Sequence, residues 1–193
     1  MTTLQEQKRQ TTVDHLVASA LVAMVERGID VTVDDMARTA GVSRRTVFRH
    51  FATRDELVAA AVRAALTEYA RSVPTRGEMD WRTWLTRVCA VIHDVNVTYG
   101  QVELDLSARR EVSDVLAAAS ADVERFRRGG NLRFAERLWS SAGRPGEPTR
   151  EFVRIVGAHT SPLFTFAVVR DGDGDRALAA RLTNAAILAA LEH

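Results

Sequence analysis

The sequence predicts an all-α protein, with an N-terminal three-helix helix-turn-helix domain and a second, C-terminal helical domain. Apolar residues recur with the three-four spacing of helices along most of the chain. Hydroxyl or acidic residues that cap helix N-termini precede most of these stretches, and glycine or proline follows them. Strand-like alternation occurs only at Val102, Leu104 and Leu106, where we expect irregular structure or a short helix.

The first two helices are defined by a glycine stop and a threonine cap. Apolar residues share one helical face over residues 13–25, and Gly28 then provides a C-terminal stop. Thr32, followed by Asp34 and Asp35, gives a hydroxyl cap and an acidic first turn. These signals predict a long first helix and a short second one.

Two more helices follow a glycine turn. Gly41 ends the second helix, and Ser43 caps a third helix that runs through His50. Thr53 and Glu56 have the spacing of a capping box, which predicts the start of a fourth helix. Four helices therefore fill about the first seventy residues.

Longer helices are predicted beyond this point. Asp80 caps a fifth helix, which we expect Gly100 to break. A sixth helical region is predicted over residues 107–141, with a bend at Gly129 and Gly130.

The final part of the chain predicts two helices. Thr149 opens a helix that extends to Val169, and Pro162 is expected to kink it. A glycine- and aspartate-rich segment, residues 171–175, turns the chain into the last helix. The closing residues 191–193 resemble the start of an expression tag and are left out of the functional prediction.

A break that contains proline and glycine, residues 73–78, is the predicted boundary between two domains. The helix-turn-helix domain is assigned to residues 1–54, with the fourth helix, 54–72, as a connector. The second domain is assigned to residues 73–190.

Composition indicates a folded globular protein. The chain has 193 residues, 46% of them hydrophobic and 26% charged, so it can bury a core without metals or disulfides. Cys89 is the only cysteine, which excludes an intrachain disulfide and a cysteine-built zinc site and fits a reducing cytoplasm. The polar N-terminus and the lack of a long apolar run predict neither export nor a membrane span. We therefore expect a cytoplasmic protein without a metal or a cofactor.

Positive charge is concentrated in one short segment, although the formal net charge is only +1. No acidic residue occurs between Met36 and Arg54. The same segment contains His50 and five arginines, which are Arg38, Arg44, Arg45, Arg49 and Arg54. Such clustering is typical of a surface that binds phosphates.

The second and third helices have the residue types of a helix-turn-helix. Ala37 is small where the helices cross, Gly41 permits a left-handed turn, and Val47 holds the second of the pair against the first. Arginine presents a bidentate donor pair to guanine, and threonine can contact a thymine methyl group or a phosphate. The outward positions that are free to meet DNA are Arg44, Arg45, Thr46, Arg49 and His50.

Residues 32–57 resemble the DNA-binding signature of the TetR family of transcriptional repressors. The N-cap, the glycine turn, the His50–Phe51 pair and the capping box all fall at the spacing of that family. The resemblance implies phosphate contacts from Thr32, Ser43, His50 and Arg54, and base contacts from Arg44, Arg45 and Thr46.

Two positions depart from the family pattern. Phe48 stands where tyrosine is more frequent, so a hydroxyl contact to phosphate is lost and packing against a sugar remains. Arg54 replaces a frequent lysine, which keeps the charge but changes the donor geometry.

The resemblance also implies a ligand-responsive homodimer, a repressor that binds double-stranded operator DNA until a small-molecule effector releases it. The C-terminal domain would bind the effector and dimerise. Candidate effector-binding residues are Trp81, Trp84, Val88, Phe126, Trp139 and His159. Candidate interface residues on the last helices are Phe152, Val156, Leu163, Leu178, Leu182, Ala185, Ala186 and Ala189. Ordinary intrachain packing is the alternative at each of these positions.

Two other function classes compete with DNA binding. No catalytic signature occurs, so an enzyme is not predicted, and a calcium loop starting at Asp171 is excluded because Arg176 and Leu182 replace the required glycine and glutamate. A ligand carrier or coregulator that kept the fold but lost DNA binding would be favoured by alanine or acid over residues 44–49. The arginines found there argue against it.

Overall fold

The computed structural model describes residues 3–192 and confirms the all-α prediction. Over these residues it contains nine helices and no strand, and a π-helical turn at Ala167–Asp171 precedes the last helix. The helices are α1 (Leu4–Arg27), α2 (Val33–Thr39), α3 (Arg44–His50), α4 (Arg54–Ser72), α5 (Trp81–Ser107), α6 (Asp114–Ser141), α7 (Arg150–His159), α8 (Pro162–Phe166) and α9 (Arg176–Glu192).

The chain forms two compact units, and each unit combines two separate stretches of sequence. The first unit contains the described residues up to Glu68 together with Val102–Val123. The second unit contains Tyr69–Gln101 and the described residues from Glu124 onwards. The functional boundary near residue 73 stays a prediction.

Each unit has its own apolar core. The largest buried side chains of the first unit come from α1, α2, α3 and α4, and include Leu16, Met24, Met36, Val47 and Leu57. The core of the second unit includes Leu85, Leu138, Phe152, Ile187 and Leu191. Leu191 is therefore an integral part of α9, while His193 lies outside the described residues.

Helices α2 and α4 begin at their predicted caps. The Thr32 hydroxyl accepts a hydrogen bond from the Asp35 amide (3.1 Å), and the Asp35 carboxylate accepts one from the Thr32 amide (3.3 Å). The Thr53 hydroxyl likewise accepts from the Glu56 amide (3.1 Å). The Glu56 carboxylate reaches back to the Ala52 amide (2.8 Å), one residue earlier than in a capping box.

The prediction that Gly100 breaks the fifth helix is wrong, because α5 continues to Ser107. Gly100 is buried, and a Cβ atom there would lie only 2.9 Å from the Cβ of Pro162 and 3.3 Å from Cε2 of Phe166. The position is therefore glycine because another segment of the chain packs closely against the helix backbone.

The predicted sixth helical region is shorter than expected at its start. The chain is not helical between Ser107 and α6, which begins after Ser113, whose hydroxyl accepts from the Leu116 amide at 3.4 Å. Gly129 and Gly130 lie inside α6 and do not interrupt it.

The predicted helix from Thr149 to Val169 is divided into shorter segments. The Thr149 hydroxyl caps α7 as expected, by accepting from the Phe152 amide at 3.1 Å. Ser161 then caps a new helix at Pro162, and the segments Arg150–His159 and Pro162–Asp171 meet at 47°. In the described part of the chain, no single helix has the length and apolarity to cross a membrane, and only this bent pair passes by length and composition.

Candidate nucleic-acid interface

A glycine turn fixes the geometry between α2 and α3. Gly41 has a φ of 64°, its amide donates to the Arg38 carbonyl (3.1 Å), and the Val42 amide donates to the Ala37 carbonyl (3.0 Å). This pair of bonds is a Schellman motif, which requires a left-handed residue at its centre. His15 of α1 adds a bond to the same turn, since its Nε2 lies 2.9 Å from the Ala40 carbonyl oxygen.

The third helix is short and is held by its cap and one buried side chain. The Ser43 Oγ accepts from the Thr46 amide (3.1 Å) and lies 3.0 Å from the Thr46 hydroxyl. Among the α3 residues, all of which are described, only Val47 is buried, with 1% of its surface exposed. The other side chains of α3 are therefore wholly or partly accessible to solvent.

The outer face of α3 is positively charged. Arg44, Arg45 and Arg49 are all exposed. Arg44 lies 3.2 Å from an oxygen of Asp34, and Arg49 lies 3.5 Å from Nε2 of His50. Arg45 forms no ion pair or hydrogen bond with any residue that the structure describes. The charge on this face is thus only partly balanced by carboxylates, as binding to a polyanion requires.

Phe48 belongs to the same exposed surface. It is 41% exposed, and the Arg44 guanidinium carbon lies 5.3 Å from the centre of its ring. The ring is therefore accessible for the predicted packing against a sugar, and it also supports the Arg44 side chain through a cation–π contact.

Thr32 stabilises the start of α2, because its hydroxyl both donates and accepts a hydrogen bond there. It donates to the Asp35 carboxylate (2.7 Å) and accepts from the amide of the same residue (3.1 Å). Hydrogen bonds from Thr32, with further help from Arg38, lower the pKa of Asp35 to about 2. The hydroxyl proton of Thr32 is thus directed to Asp35, and the phosphate contact that the resemblance implies stays a prediction.

Arg54 holds the segment that precedes α2. Its Nε donates to the Val31 carbonyl (2.8 Å), its Nη2 donates to the Ile29 carbonyl, and its Nη1 forms an ion pair with Asp55 (2.8 Å). The side chain is only 26% exposed. This role was missed from the sequence because the two carbonyls lie more than twenty positions away. The extra donors of arginine, relative to lysine, are what bridge both carbonyls and the carboxylate.

A cavity of about 260 Å³ lies within the second unit, where the last residues of α4 meet α5 and α6. Three of the six predicted effector-binding residues line it, which are Trp84, Val88 and Phe126. The others lie elsewhere in the unit, and these are Trp81, Trp139 and His159. Trp139 packs against Phe152, with ring centres 5.3 Å apart. His159 Nδ1 lies 2.9 Å from the Ile155 carbonyl oxygen of its own helix.

The predicted interface residues divide into buried and exposed groups. Phe152 and Val156 are 2% and 0% exposed, because α7 packs this face into the core of its own unit. They therefore present no surface to a partner. Leu163 and Leu182 are 68% and 44% exposed. Ala185 and Ala189 are also exposed, whereas Leu178 and Ala186 are half-buried.

Sequence comparison places the helix-turn-helix in a known family. The family model described as "Bacterial regulatory proteins, tetR family" matches residues 16–61, which run from the middle of α1 into α4. The "Putative mycofactocin biosynthesis transcriptional regulator MftR" of Mycobacterium tuberculosis (strain ATCC 25618 / H37Rv) is 41% identical over 51 residues. This match covers 26% of each of the two chains, so it spans about a quarter of the length of that relative.

Solved structures share the fold over nearly the whole chain. A tetR-family transcriptional regulator from Streptomyces coelicolor has a TM-score of 0.72 at 20% identity, covering 94% of this chain and 82% of the other. The multidrug binding protein EbrR, solved in complex with imidazole, has a TM-score of 0.56 at 18% identity, covering 90% and 88%. At these identities the likeness is one of fold.

Proposed function

Because the chain belongs to the TetR family, we propose that it is a transcriptional regulator that binds double-stranded operator DNA as a homodimer and leaves it when a small molecule binds. The observation that carries the proposal is the outer face of α3, with three exposed arginines on a short capped helix. A helix of this kind fits the major groove, where arginine reads guanine.

The contacts of α3 and its surroundings suggest separate tasks for the predicted DNA-binding residues. We assign base contacts to Arg44, Arg45 and Thr46, and backbone contacts to Ser43, Phe48, Arg49 and His50. Thr32 and Arg54 act as positioning residues, because their polar atoms are bonded to Asp35 and to the carbonyls before α2. In the dimer the two α3 helices lie about 34–36 Å apart, which matches one turn of DNA.

Fluorescence anisotropy with labelled duplexes from the promoter of the protein's own gene tests DNA binding. We expect one duplex to bind with strong preference, and Arg45→Glu to abolish that preference by placing a carboxylate against the groove. Arg128→Glu is the matched control, since it makes the same charge change at an exposed position of α6. The proposal fails if the wild type shows no sequence preference at moderate salt, or if Arg45→Glu binds as the wild type does.

The exposed leucines and alanines of α8 and α9 supply an apolar surface for dimerisation. We assign the interface to this surface, which contains Leu163, Leu182, Ala185 and Ala189. Small residues permit the close helix approach that a symmetric interface needs.

Sedimentation velocity at micromolar concentration tests this interface. Leu182→Arg is expected to give a monomer, because it buries an unpaired charge at the contact. Leu132→Arg is the control, as Leu132 on α6 has the same 44% exposure as Leu182. A monomeric wild type, or equal behaviour of the two variants, would refute the assignment.

A further inference from the structure

The cavity of the second unit has a largely aromatic and aliphatic wall. Trp84, Val88 and Ile92 line it from successive turns of α5. Trp84 meets Phe134 edge to face, with ring centres 5.3 Å apart, and Tyr69 meets Phe126 in the same way at 5.4 Å. Walls built from such rings suit a flat apolar body, which gains both burial and ring contacts.

Arginines form the charged part of the same wall. Arg127, Arg133 and Arg137 all reach the cavity from α6, and Arg133 and Arg137 are one turn apart. Over the described residues, no acidic side chain lines the cavity. The wall therefore contains arginines and no carboxylate of its own.

Two of these arginines are available to a ligand. Arg133 and Arg137 form no ion pair or hydrogen bond with any described residue, and the Arg137 guanidinium carbon lies 5.9 Å from the centre of the Trp84 ring. Arg127 is already engaged, since its Nη2 donates to Asn96 at 3.2 Å. Arg133 and Arg137 thus offer donors beside the aromatic wall.

We propose that this cavity binds an amphipathic organic anion, with a flat apolar body between the aromatic side chains and a carboxylate on Arg133 and Arg137. The planar donors of arginine match a carboxylate in bidentate geometry, and the partly apolar surroundings strengthen that pairing. A cationic ligand of the same shape is repelled. The identification of this anion as the effector rests on the proposed function, whereas its binding to the cavity does not.

Isothermal titration calorimetry on the full chain, with three probes of one shape, tests the ligand class. The probes are 2-naphthoate, the neutral 2-naphthamide and the cationic 2-naphthylmethylammonium. We expect naphthoate to bind about tenfold more tightly than the amide, because it forms charge-assisted hydrogen bonds, and the cation to bind most weakly. The proposal is overturned if the amide or the cation binds as tightly as naphthoate, or if none of the three binds.

Substitution of Arg133 and Arg137 together then tests whether these two side chains bind the carboxylate. In the double variant Arg133→Gln and Arg137→Gln, the preference for naphthoate over the amide should disappear, while binding of the amide changes little. The corresponding double lysine variant should keep part of the preference, which guards against a folding defect in the glutamine variant. Arg128→Gln, an exposed position on the same helix that does not line the cavity, should keep all of it. Preference retained by the glutamine variant would place the anion elsewhere.

Adding the probes to the protein–DNA complex separates this proposal from the function proposed above. Release of DNA by naphthoate, and not by the amide, supports both. Naphthoate that binds but leaves the complex intact refutes release by this anion and leaves the anion site standing. Release by the amide or the cation alone overturns the anion site while the regulatory function stands.

Discussion

The helix-turn-helix and the core of the second unit both depend on hydroxyl groups, but at very different sequence distances. In the helix-turn-helix, the hydroxyls of Thr32 and Ser43 each bond to the amide three residues ahead. In the second unit, His93 bonds to hydroxyls that are 72 and 90 positions further along the chain, on Thr165 and Thr183. Polar groups of the first kind can be recognised in a sequence, whereas those of the second kind become visible only in the folded chain.

Burial and the surrounding hydrogen bonds together determine the protonation state of His93. Thr183 donates its hydroxyl proton to the His159 carbonyl (3.0 Å), so it can only accept from His93, which places a proton on Nε2. In the neutral ring Nδ1 is an acceptor, and it lies 2.8 Å from the Thr165 hydroxyl, whose single proton is also within reach of the Ser161 carbonyl (3.1 Å). The ring is 0% exposed, and its burial lowers the pKa of His93 to about 4. A neutral imidazole thus links α5 to α8 and α9.

Replacement of His93 by leucine should have the largest effect on stability. It removes both hydrogen bonds of the buried ring, so the Thr165 and Thr183 hydroxyls each lose their bond to α5. We expect a loss of about 3 kcal/mol in the free energy of unfolding. Urea denaturation followed by circular dichroism measures it. His159→Leu is the control, because that ring is only half-buried and its one bond is to its own helix. Equal losses in the two variants would mean that the long-range hydrogen bonds of His93 stabilise the protein no more than the local bond of His159 does.

Acid should weaken the protein through the same ring. Since the folded pKa of His93 is about 4, below the ordinary 6.5, the unfolded chain binds the proton more readily between these values. The stabilisation is complete above pH 6.5 and is lost as the pH falls towards 4, by about 2 kcal/mol between pH 7 and 5. Denaturation at both pH values measures this, and the wild type should lose more than His93→Leu. Identical losses would show that His93 does not titrate in this range.

Substitution by alanine should have opposite effects on stability at two glycines of the long helices, Gly100 in α5 and Gly130 in α6. Gly100→Ala is expected to cost about 1.5 kcal/mol, because the new methyl group meets Pro162 at 2.9 Å. Gly130→Ala should stabilise by up to about 1 kcal/mol, since alanine is the better helix former and nothing lies within 4 Å of its Cβ. Thermal or urea midpoints compare them. A gain in stability from Gly100→Ala would contradict the packing explanation.

Loss of a local helix cap should give the smallest of the four predicted effects on stability. Ser43→Ala removes the acceptor for the Thr46 amide, and we expect a loss of about 1 kcal/mol. Ser43→Asp keeps an acceptor at the cap, so it should restore most of the stability in the same urea measurement. A larger loss than that of His93→Leu would reverse the order between local and long-range bonds.

The elements that the sequence predicts best are those with local signals at both ends. The caps at Thr32 and Ser43, the turn at Gly41 and the family resemblance together predict the helix-turn-helix and the exposure of its arginines. Arg54 was assigned to phosphate only by resemblance, and its bonds to the Ile29 and Val31 carbonyls could not be predicted because they depend on how α1 ends beside α4.

Elsewhere the same residue type can serve different structural purposes, and local sequence patterns do not distinguish them. Gly100 marks a close contact instead of a helix end, and Pro162 begins a new helix where a kink was expected. Phe152 and Val156 are as apolar as an interface requires, yet they fill the core of their own unit. Which side of an apolar helix meets a neighbour is decided by tertiary packing.

Within α3 and its cap, the residues that stabilise the fold are Ser43, which caps the helix, and Val47, which is buried. The outward side chains of α3 at positions 44, 45 and 49 contribute no core contacts, so they can be exchanged while the scaffold stays intact. Paralogues that share this scaffold could therefore diverge in the DNA sequences they recognise through changes on a single helical face. For the same reason, α3 is a natural place to redesign specificity without first restabilising the protein.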